Sequence, residues 1–355
     1  IPTHAVHGLL GQFSPALPMS VSEIEEYGLS FQENLFTHPY IHENFLEELF
    51  GSQMQVVKDI FIEPTGSKDG RYKFRPEYNT QRKIEISFQG KNSPDQLQMR
   101  DGLYTLLENV LFLHDHKKPY LYHPRINAQQ TYLYRSLSEK ERSVFDRIHE
   151  DFFYHRHNEF WYRQAMEKLP QLIQSTRMLV CGEDLGMIPS CVSRVMEELQ
   201  ILSLEIQRMP KGWTEFANPA QYPYLSVSSI STHDMSTLRG WWKEDPGATQ
   251  RFYNIVLGHP GTAPEEANGF ICKEIIRQHL EGKSVLCILS LQDWLSMSEK
   301  WRCPDIEAER INIPSHPRHY WRYRMHLTLE QLLQTDEITR KIRELLAITG
   351  RNPRM

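Results

Sequence analysis

The stretch Met178-Leu-Val-Cys-Gly-Glu-Asp-Leu-Gly186 decides how this chain is read. Three apolar residues lead through Cys181 into a glycine, two adjacent carboxylates and a second glycine. A short apolar run bounded by glycines reads as a buried strand. From Ile188 to Leu199, Val192, Val195, Met196 and Leu199 recur at helical spacing. Glu183 and Asp184 therefore sit where a strand ends and a turn into a helix begins. In a parallel α/β fold that edge carries the active site. The plainer reading is a carboxylate pair that only caps the following helix, since acids are favoured near helix starts.

Working towards the C-terminus, the pattern repeats. Ile201 to Met209 reads as a second strand, and Val227 to Thr232 as a third that ends in His233-Asp234. Helices are expected over 248–257 and 264–280, the latter opened by a capping box of Thr262 and Glu265. Ser284 to Leu291 reads as a fourth strand, followed by Gln292-Asp-Trp294, and residues 326–346 as a closing helix. Strand alternating with helix implies a parallel sheet with right-handed crossovers. Chemistry at the ends of two strands is the pattern of a (β/α)8 barrel. A barrel needs eight strands and roughly 250 residues. Either further strands lie within residues 1–130 or the other half lies upstream of Ile1.

Towards the N-terminus the text is less regular. Glycine and proline predict little regular structure before Val21, one helix within 43–62, and a loop from Gly66 to Gly70. Asp101 to Leu113 is apolar at helical spacing, and Tyr120 to Tyr134 reads as an irregular aromatic stretch too polar for a core. Ser138 and Glu141 form a capping box. The long helix it opens carries Val144, Phe145, Ile148, Phe152 and Trp161 on its apolar side and is expected to end at Pro170. The expected organisation is one catalytic domain: residues 1–175 as a barrel segment with a long helical and irregular insertion before the Glu183 strand, and residues 176–355 as the C-terminal strands and helices.

Composition excludes some classes. Of 355 residues, 40% are apolar and 24% charged, with a formal net charge of -5. Nucleic-acid binding would instead show clustered positive charge. No apolar run approaches the roughly 20 residues of a membrane span. The five cysteines are scattered, and several lie in apolar runs as buried free thiols do, which suits a reducing, cytoplasmic compartment. The chain begins Ile1-Pro-Thr-His, without initiator methionine or signal peptide, and reads as the continuation of something longer.

The blocks Gly182-Glu-Asp-Leu-Gly186 with Ile188-Pro189, and Ser231-Thr-His-Asp234 with Thr237 and Gly240-Trp-Trp242, resemble the two signature blocks of the 4-α-glucanotransferases of glycoside hydrolase family 77, the amylomaltases or disproportionating enzymes. Leu204-Glu-Ile-Gln-Arg-Met-Pro-Lys211, Tyr122-His-Pro-Arg-Ile126 and Glu309-Arg-Ile-Asn-Ile-Pro314 support the resemblance, which runs from Ile1 to about Leu345. The His-Pro-Arg-Ile block is similar to the plant-type cytosolic branch, which handles maltose and branched glucans. The fold implied is the C-terminal half of a TIM barrel. The activity implied is transfer of α-1,4-glucan segments or glucosyl units between maltooligosaccharides, starch or glycogen by a retaining double displacement, with no cofactor and no metal. Glu183 is implied as general acid/base and Asp234 as the carboxylate that holds sugar hydroxyls and stabilises the transition state. His233 and Asp184 are implied to bind or support the sugar, and Arg310 and Asn312 to line the acceptor side.

The sequence departs from the family at one point. The nucleophilic aspartate of the family belongs to an Arg-Ile-Asp-His type motif, and none occurs here. The implied partner is therefore the N-terminal half of the same protein, with any starch-binding modules, and residues 1–355 alone are not expected to catalyse transfer. Two other readings stay open: an α-amylase-type hydrolase, and a carbohydrate-binding piece without chemistry of its own. Lesser candidates read as structural. His114 and His116 lack a third metal ligand nearby, His155 and His157 are expected on a helix surface, and Trp241-Trp242 is read as packing before sugar stacking. No phosphate loop or nucleophile elbow occurs.

Overall fold

The computed structural model describes residues 15–66, 70–186, 188–316 and 321–351. Most of the segment before Val21, and part of the 66–70 loop, lie outside them. The chain divides into two compact units, Ile1–Trp161 and Tyr162–Met355.

In the first unit the single helix expected within 43–62 is two, α1 (Glu43–Phe50) and α2 (Met54–Ile60), joined by a 3-10 turn. The helix expected from Asp101 starts earlier, as α3 (Pro94–Leu107), because Ser93 and Gln96 form a capping box with proline at its first position. Two short antiparallel pairs flank it, β1 (Ile62–Pro64) with β2 (Tyr72–Phe74) and β3 (Phe112–His114) with β4 (Tyr122–Pro124). Strands do occur within residues 1–130, then, but these are hairpin-like pairs.

The Tyr120–Tyr134 stretch departs from its reading. Tyr122, His123 and Arg125 are buried, as are Ala128 and Leu133. The polar groups are tolerated because each has a partner: His123 Nε2 lies 2.9 Å from Asp115, and Arg125 donates to Glu108 at 2.7 Å. His114 Nδ1 lies against the Pro119 carbonyl, and among the described residues no group of three His, Cys, Asp or Glu could hold a metal ion.

The Ser138–Glu141 capping box is present and opens α4 (Glu139–Glu150). A π turn at Asp151–His155 interrupts the helix before α5 (Asn158–Gln174). Its extra residue rotates the downstream side chains about the helix axis by about 100°. His155 stays exposed, whereas His157, expected at the surface, is 2% exposed, with Nδ1 2.8 Å from the Phe152 carbonyl and its ring stacked on Trp161. Pro170 lies inside α5 and does not end it. α5 fully buries no residue, so water can satisfy the carbonyl that proline leaves without a donor.

The second unit is α/β. Its sheet has the order β6 (Ser203–Ile206), β7 (Ser226–Ser229), β8 (Leu286–Cys287), and a one-residue bridge at Cys181, here β5, lies beside the start of β6. All neighbours run parallel. Three of the four strands read from sequence are therefore present, shorter than expected, and the one expected at Met178 is reduced to the Cys181 bridge. The Met178 strand shrinks most. Val180 accepts from Leu202 N–H and Gly182 N–H donates to Leu202, but Met178 and Leu179 are exposed. Between β5 and β6 runs α6 (Ser190–Leu199). It packs close, since a Cβ on Gly182 would meet Met196 Cε at 2.9 Å. Gln200 ends α6 in the left-handed region at φ 53°, which turns the chain into β6.

After β7 come α7 (Leu238–Glu244), α8 (Pro246–Arg251) with a π turn, and α9 (Gly269–Glu281). The α9 cap is Asn268, whose side chain accepts from Ile271 N–H at 3.0 Å, and not the Thr262–Glu265 pair. The segment before it is drawn into packing: Trp242 Nε1 donates to the Pro264 carbonyl, and Ala267 is buried. Trp242 is 1% exposed and makes edge contacts with Trp241 and Phe252, which bears out the packing reading of the pair. α10 (Leu291–Leu295) follows β8, and the closing helix is two, α11 (Leu329–Leu333) and α12 (Asp336–Ile348). Of the cysteines, Cys191, Cys272 and Cys303 are buried, Cys287 is partly so and Cys181 is exposed, all as free thiols. No helix among the described residues is long and apolar enough to cross a membrane.

On α9, His279 is fully buried with Nδ1 2.9 Å from the Ile275 carbonyl, and burial pushes its imidazole down from 6.5 to about 4. A depressed histidine stabilises the fold above its unfolded pKa, and that contribution is lost as pH falls. Denaturant unfolding of this unit should lose about 3 kcal/mol between pH 6.5 and 4, from about 2.5 units at 1.36 kcal/mol each. A His279→Gln variant should lose less over the same window, and an unchanged pH dependence would remove His279 as the cause.

Candidate active site

In a parallel sheet the strands' carboxyl ends share one edge, and here that edge collects the polar residues. Gly182 N–H makes the last ladder bond of β5, to Leu202. The next free donor on β6 is Leu204 N–H, and the Asp184 carboxylate takes it at 2.9 Å. A side chain thus continues the ladder where the backbone leaves the sheet. The other Asp184 oxygen meets Lys211 Nζ at 2.7 Å, and the same ammonium meets Glu205 at 2.8 Å. Ser203 Oγ donates to Glu205 at 2.8 Å. A cavity of about 430 Å³ is lined in part by Asp184, Glu205, Lys211 and Tyr224. Both Asp184 oxygens are occupied inside the protein. Its neighbour Glu183 is exposed, with one oxygen accepting from Leu185 N–H at 3.2 Å.

The second cluster lies beyond β7. Asp234 is half exposed, His233 Nε2 is 3.4 Å from its carboxylate, and Asn312 Nδ2 donates to it at 2.6 Å. The Trp321 ring lies 4.7 Å from that of His233. Arg310 donates to the Asn312 carbonyl at 3.1 Å and to Glu244 at 3.2 Å, so it stands behind Asn312. His233, Asp234, Asn312 and Arg310, 79 positions apart at the extremes in sequence (312 − 233), therefore form one group. Glu183 and Asp184 belong to the same sheet edge, and among the described residues no hydrogen bond or ion pair joins Glu183 to Asp234.

What brings Asn312 to Asp234 is a buried ion pair. Arg239 on α7 donates to Glu309 at 2.7 Å, both nearly inaccessible, and Thr237 Oγ1 donates to the second Glu309 oxygen at 2.9 Å. Arg239 also donates to the Cys303 carbonyl at 2.7 Å. Burial pushes the Glu309 carboxyl above its usual range, against the pull of Arg239. The Glu309–Asn312 segment is thereby tied to the helix that follows Asp234.

Sequence reasoning missed Lys211, Glu205, Arg239, Glu309 and Trp321. Lys211 and Glu205 lie within the Leu204–Lys211 block, and Glu309 opens the Glu309–Pro314 block, so the signal was the block itself. Chemically, the edge offers exposed carboxylates beside an imidazole, an amide and an indole, a set able to hold hydroxyl-rich molecules and to move protons.

Comparison with known proteins is consistent with that set. The family model of glycoside hydrolase family 77, described as 4-alpha-glucanotransferase, matches residues 83–329. The 4-alpha-glucanotransferase DPE2 of Oryza sativa subsp. japonica is 37% identical over 360 residues, covering 99% of this chain and 38% of the relative. The 4-alpha-glucanotransferase of Chlamydia trachomatis is 34% identical over 173 residues, covering 48% of this chain and 32% of the relative. This chain thus spans well under half the length of either relative. An amylomaltase structure from Streptococcus agalactiae in complex with acarbose aligns over 82% of this chain and 50% of its own, at 12% identity and a TM-score of 0.39. With the family model covering most of its length, the chain belongs to glycoside hydrolase family 77, the 4-alpha-glucanotransferases.

Proposed function

We propose that this chain is the part of a 4-α-glucanotransferase that supplies the general acid/base and the transition-state carboxylate. The observation that carries the reading is the His233–Asp234–Asn312 group on the same carboxyl edge as Glu183. In this reading Glu183 protonates the glycosidic oxygen as the bond to the leaving sugar breaks, then accepts the proton of the incoming sugar hydroxyl. Asp234, oriented by Asn312, holds sugar hydroxyls and opposes the positive charge of the oxocarbenium-like transition state. His233 binds the same sugar, and Arg310 with Asn312 serves the acceptor side. Asp184 acts as support, because both its oxygens are already engaged.

The reading also requires a nucleophilic carboxylate about 5 Å from the acid/base. No Arg-Ile-Asp-His motif occurs in the sequence, so the nucleophile is assigned to another part of the same protein, along with the remaining strands of a (β/α)8 barrel. Residues 1–175 then form a barrel segment with an insertion and 176–355 the C-terminal strands of one catalytic domain. The substrates are α-1,4-glucans or maltooligosaccharides, and the compartment is the cytoplasm. The match to the rice relative runs along 99% of this chain and supports the plant-type branch.

The test is incubation of the full-length protein with maltotriose, followed by glucose release and growth of longer oligomers. Glu183→Gln should lower transfer by about 10²–10⁴-fold, and near-normal transfer would remove Glu183 from the acid/base role. Lys211→Met should leave two carboxylates without their shared cation. That costs about 2 kcal/mol in denaturant unfolding, below the figure for a fully buried pair because the lysine is partly exposed. Unchanged stability would mean that Lys211 does not hold Asp184.

A further inference from the structure

The loop Ile230–Leu238 carries His233 and Asp234 at its exposed tip, between β7 and α7. Its base is tied twice. Arg208, just past the end of β6, donates from one guanidinium nitrogen to the carbonyls of Ile230 at 3.2 Å and Ser236 at 2.8 Å. Asp293, from α10 after β8, accepts from Ser231 Oγ at 3.2 Å with one oxygen and from Leu238 N–H at 3.3 Å with the other. Each side chain thus grips both the entry and the exit of the loop. Asp293 is 1% exposed and is itself fixed, because Ser290 Oγ donates to it at 2.7 Å and Asp293 N–H donates back at 3.1 Å. The guanidinium of Arg208 lies over the Trp241 ring at 5.1 Å.

We propose that Arg208 and Asp293 are positioning residues for glucan transfer, two side chains from flanking strand ends that close the base of the Ile230–Leu238 loop and set the aim of His233 and Asp234. The proposal rests on the functional reading above. Neither residue touches the exposed tip. They act by removing conformational freedom from a turn whose own backbone bonds are few. Within it, Met235 N–H to the Thr232 carbonyl and Asp234 N–H to Thr232 Oγ1 are local contacts that do not fix its direction. A displacement of about 1 Å at a reacting group can cost about 100-fold in rate, so closing the loop matters for chemistry beyond stability. The two ties come from the ends of β6 and β8, the strands on either side of β7, from which the loop leaves, and this makes the loop a keystone of the carboxyl edge.

Substitution at Asp293 separates positioning from mere packing. Asparagine can keep the geometry: its carbonyl accepts from Leu238 N–H, and its amide donates to Ser231 and Ser290, whose hydroxyls turn from donors to acceptors. Alanine cannot. In the full-length protein, Asp293→Ala should lower kcat for maltotriose disproportionation by about 10- to 100-fold with KM little changed. Asp293→Asn should recover kcat to within about tenfold of the wild type. Amide exchange over residues 231–238 should quicken by about tenfold or more in the alanine variant, while α9 keeps its protection. If Asp293→Ala does not fold, Ser231→Ala removes only the tie of Asp293 to the loop entry and should move kcat and loop exchange in the same direction. Wild-type kcat and loop exchange in these variants would overturn the proposal, as would exchange that rises uniformly across the unit with kcat per folded molecule intact. Should the wild-type protein transfer no glucan, the functional reading fails, and the exchange measurements still decide whether the pair closes the loop.

Discussion

Parallel pairing of Ser203–Ile206 with Ser226–Ser229 is the constraint on which the C-terminal unit depends. Parallel strands must return to the same end before pairing, so every strand exit lies on one edge. Glu183, Arg208, His233-Asp234 and Asp293 all follow such exits, and that is why residues scattered over more than a hundred positions belong to one surface. The strands are short, two to four residues. Side chains extend the pairing where backbone runs out, as when Asp184 takes the Leu204 N–H.

Charge burial is the second theme, and the two buried salt bridges follow one rule. A buried ion is kept only where an opposite charge and further donors or acceptors meet it. Arg239 and Glu309 satisfy this with Thr237 and the Cys303 carbonyl, and Arg125 with Glu108. Such pairs add little net stability compared with apolar packing, and removing one partner is costly. What they add is direction. The Arg239–Glu309 pair fixes where the chain passes after α10, and so delivers Asn312 to Asp234. Packing beneath is supplied by Trp242, Phe252, Ile271, Ile275 and Leu345, which form one apolar cluster with Ile230 and Leu238 at the two ends of the His233 loop.

Much of this is legible in the sequence. The order of strands and helices after Met178, the Ser138–Glu141 cap and the burial of Trp242 all come from patterns that act within a few residues: apolar periodicity, capping chemistry and turn residues. The errors share a cause as well. Tyr122–Arg125 reads as too polar for a core because its neutralising partners, Asp115 and Glu108, are not adjacent. His157 reads as a surface residue because a π turn shifts the helical face without any sequence mark. The Thr262–Glu265 cap loses to Asn268 because Pro264 is held under Trp242.

The sequence by itself determined which residue types end the strands, and with them Glu183, Asp184, His233 and Asp234, whereas Arg310 and Asn312 were named only through the family resemblance. Tertiary structure alone decided how that set divides: Asp184 engaged by Leu204 and Lys211, Glu183 open to solvent, and Asp234 held by Asn312 from far along the chain. The physical reason is range. Periodicity and caps are local and survive in a linear text, whereas the partner of a carboxylate is chosen by packing, which brings together donors that no spacing rule connects.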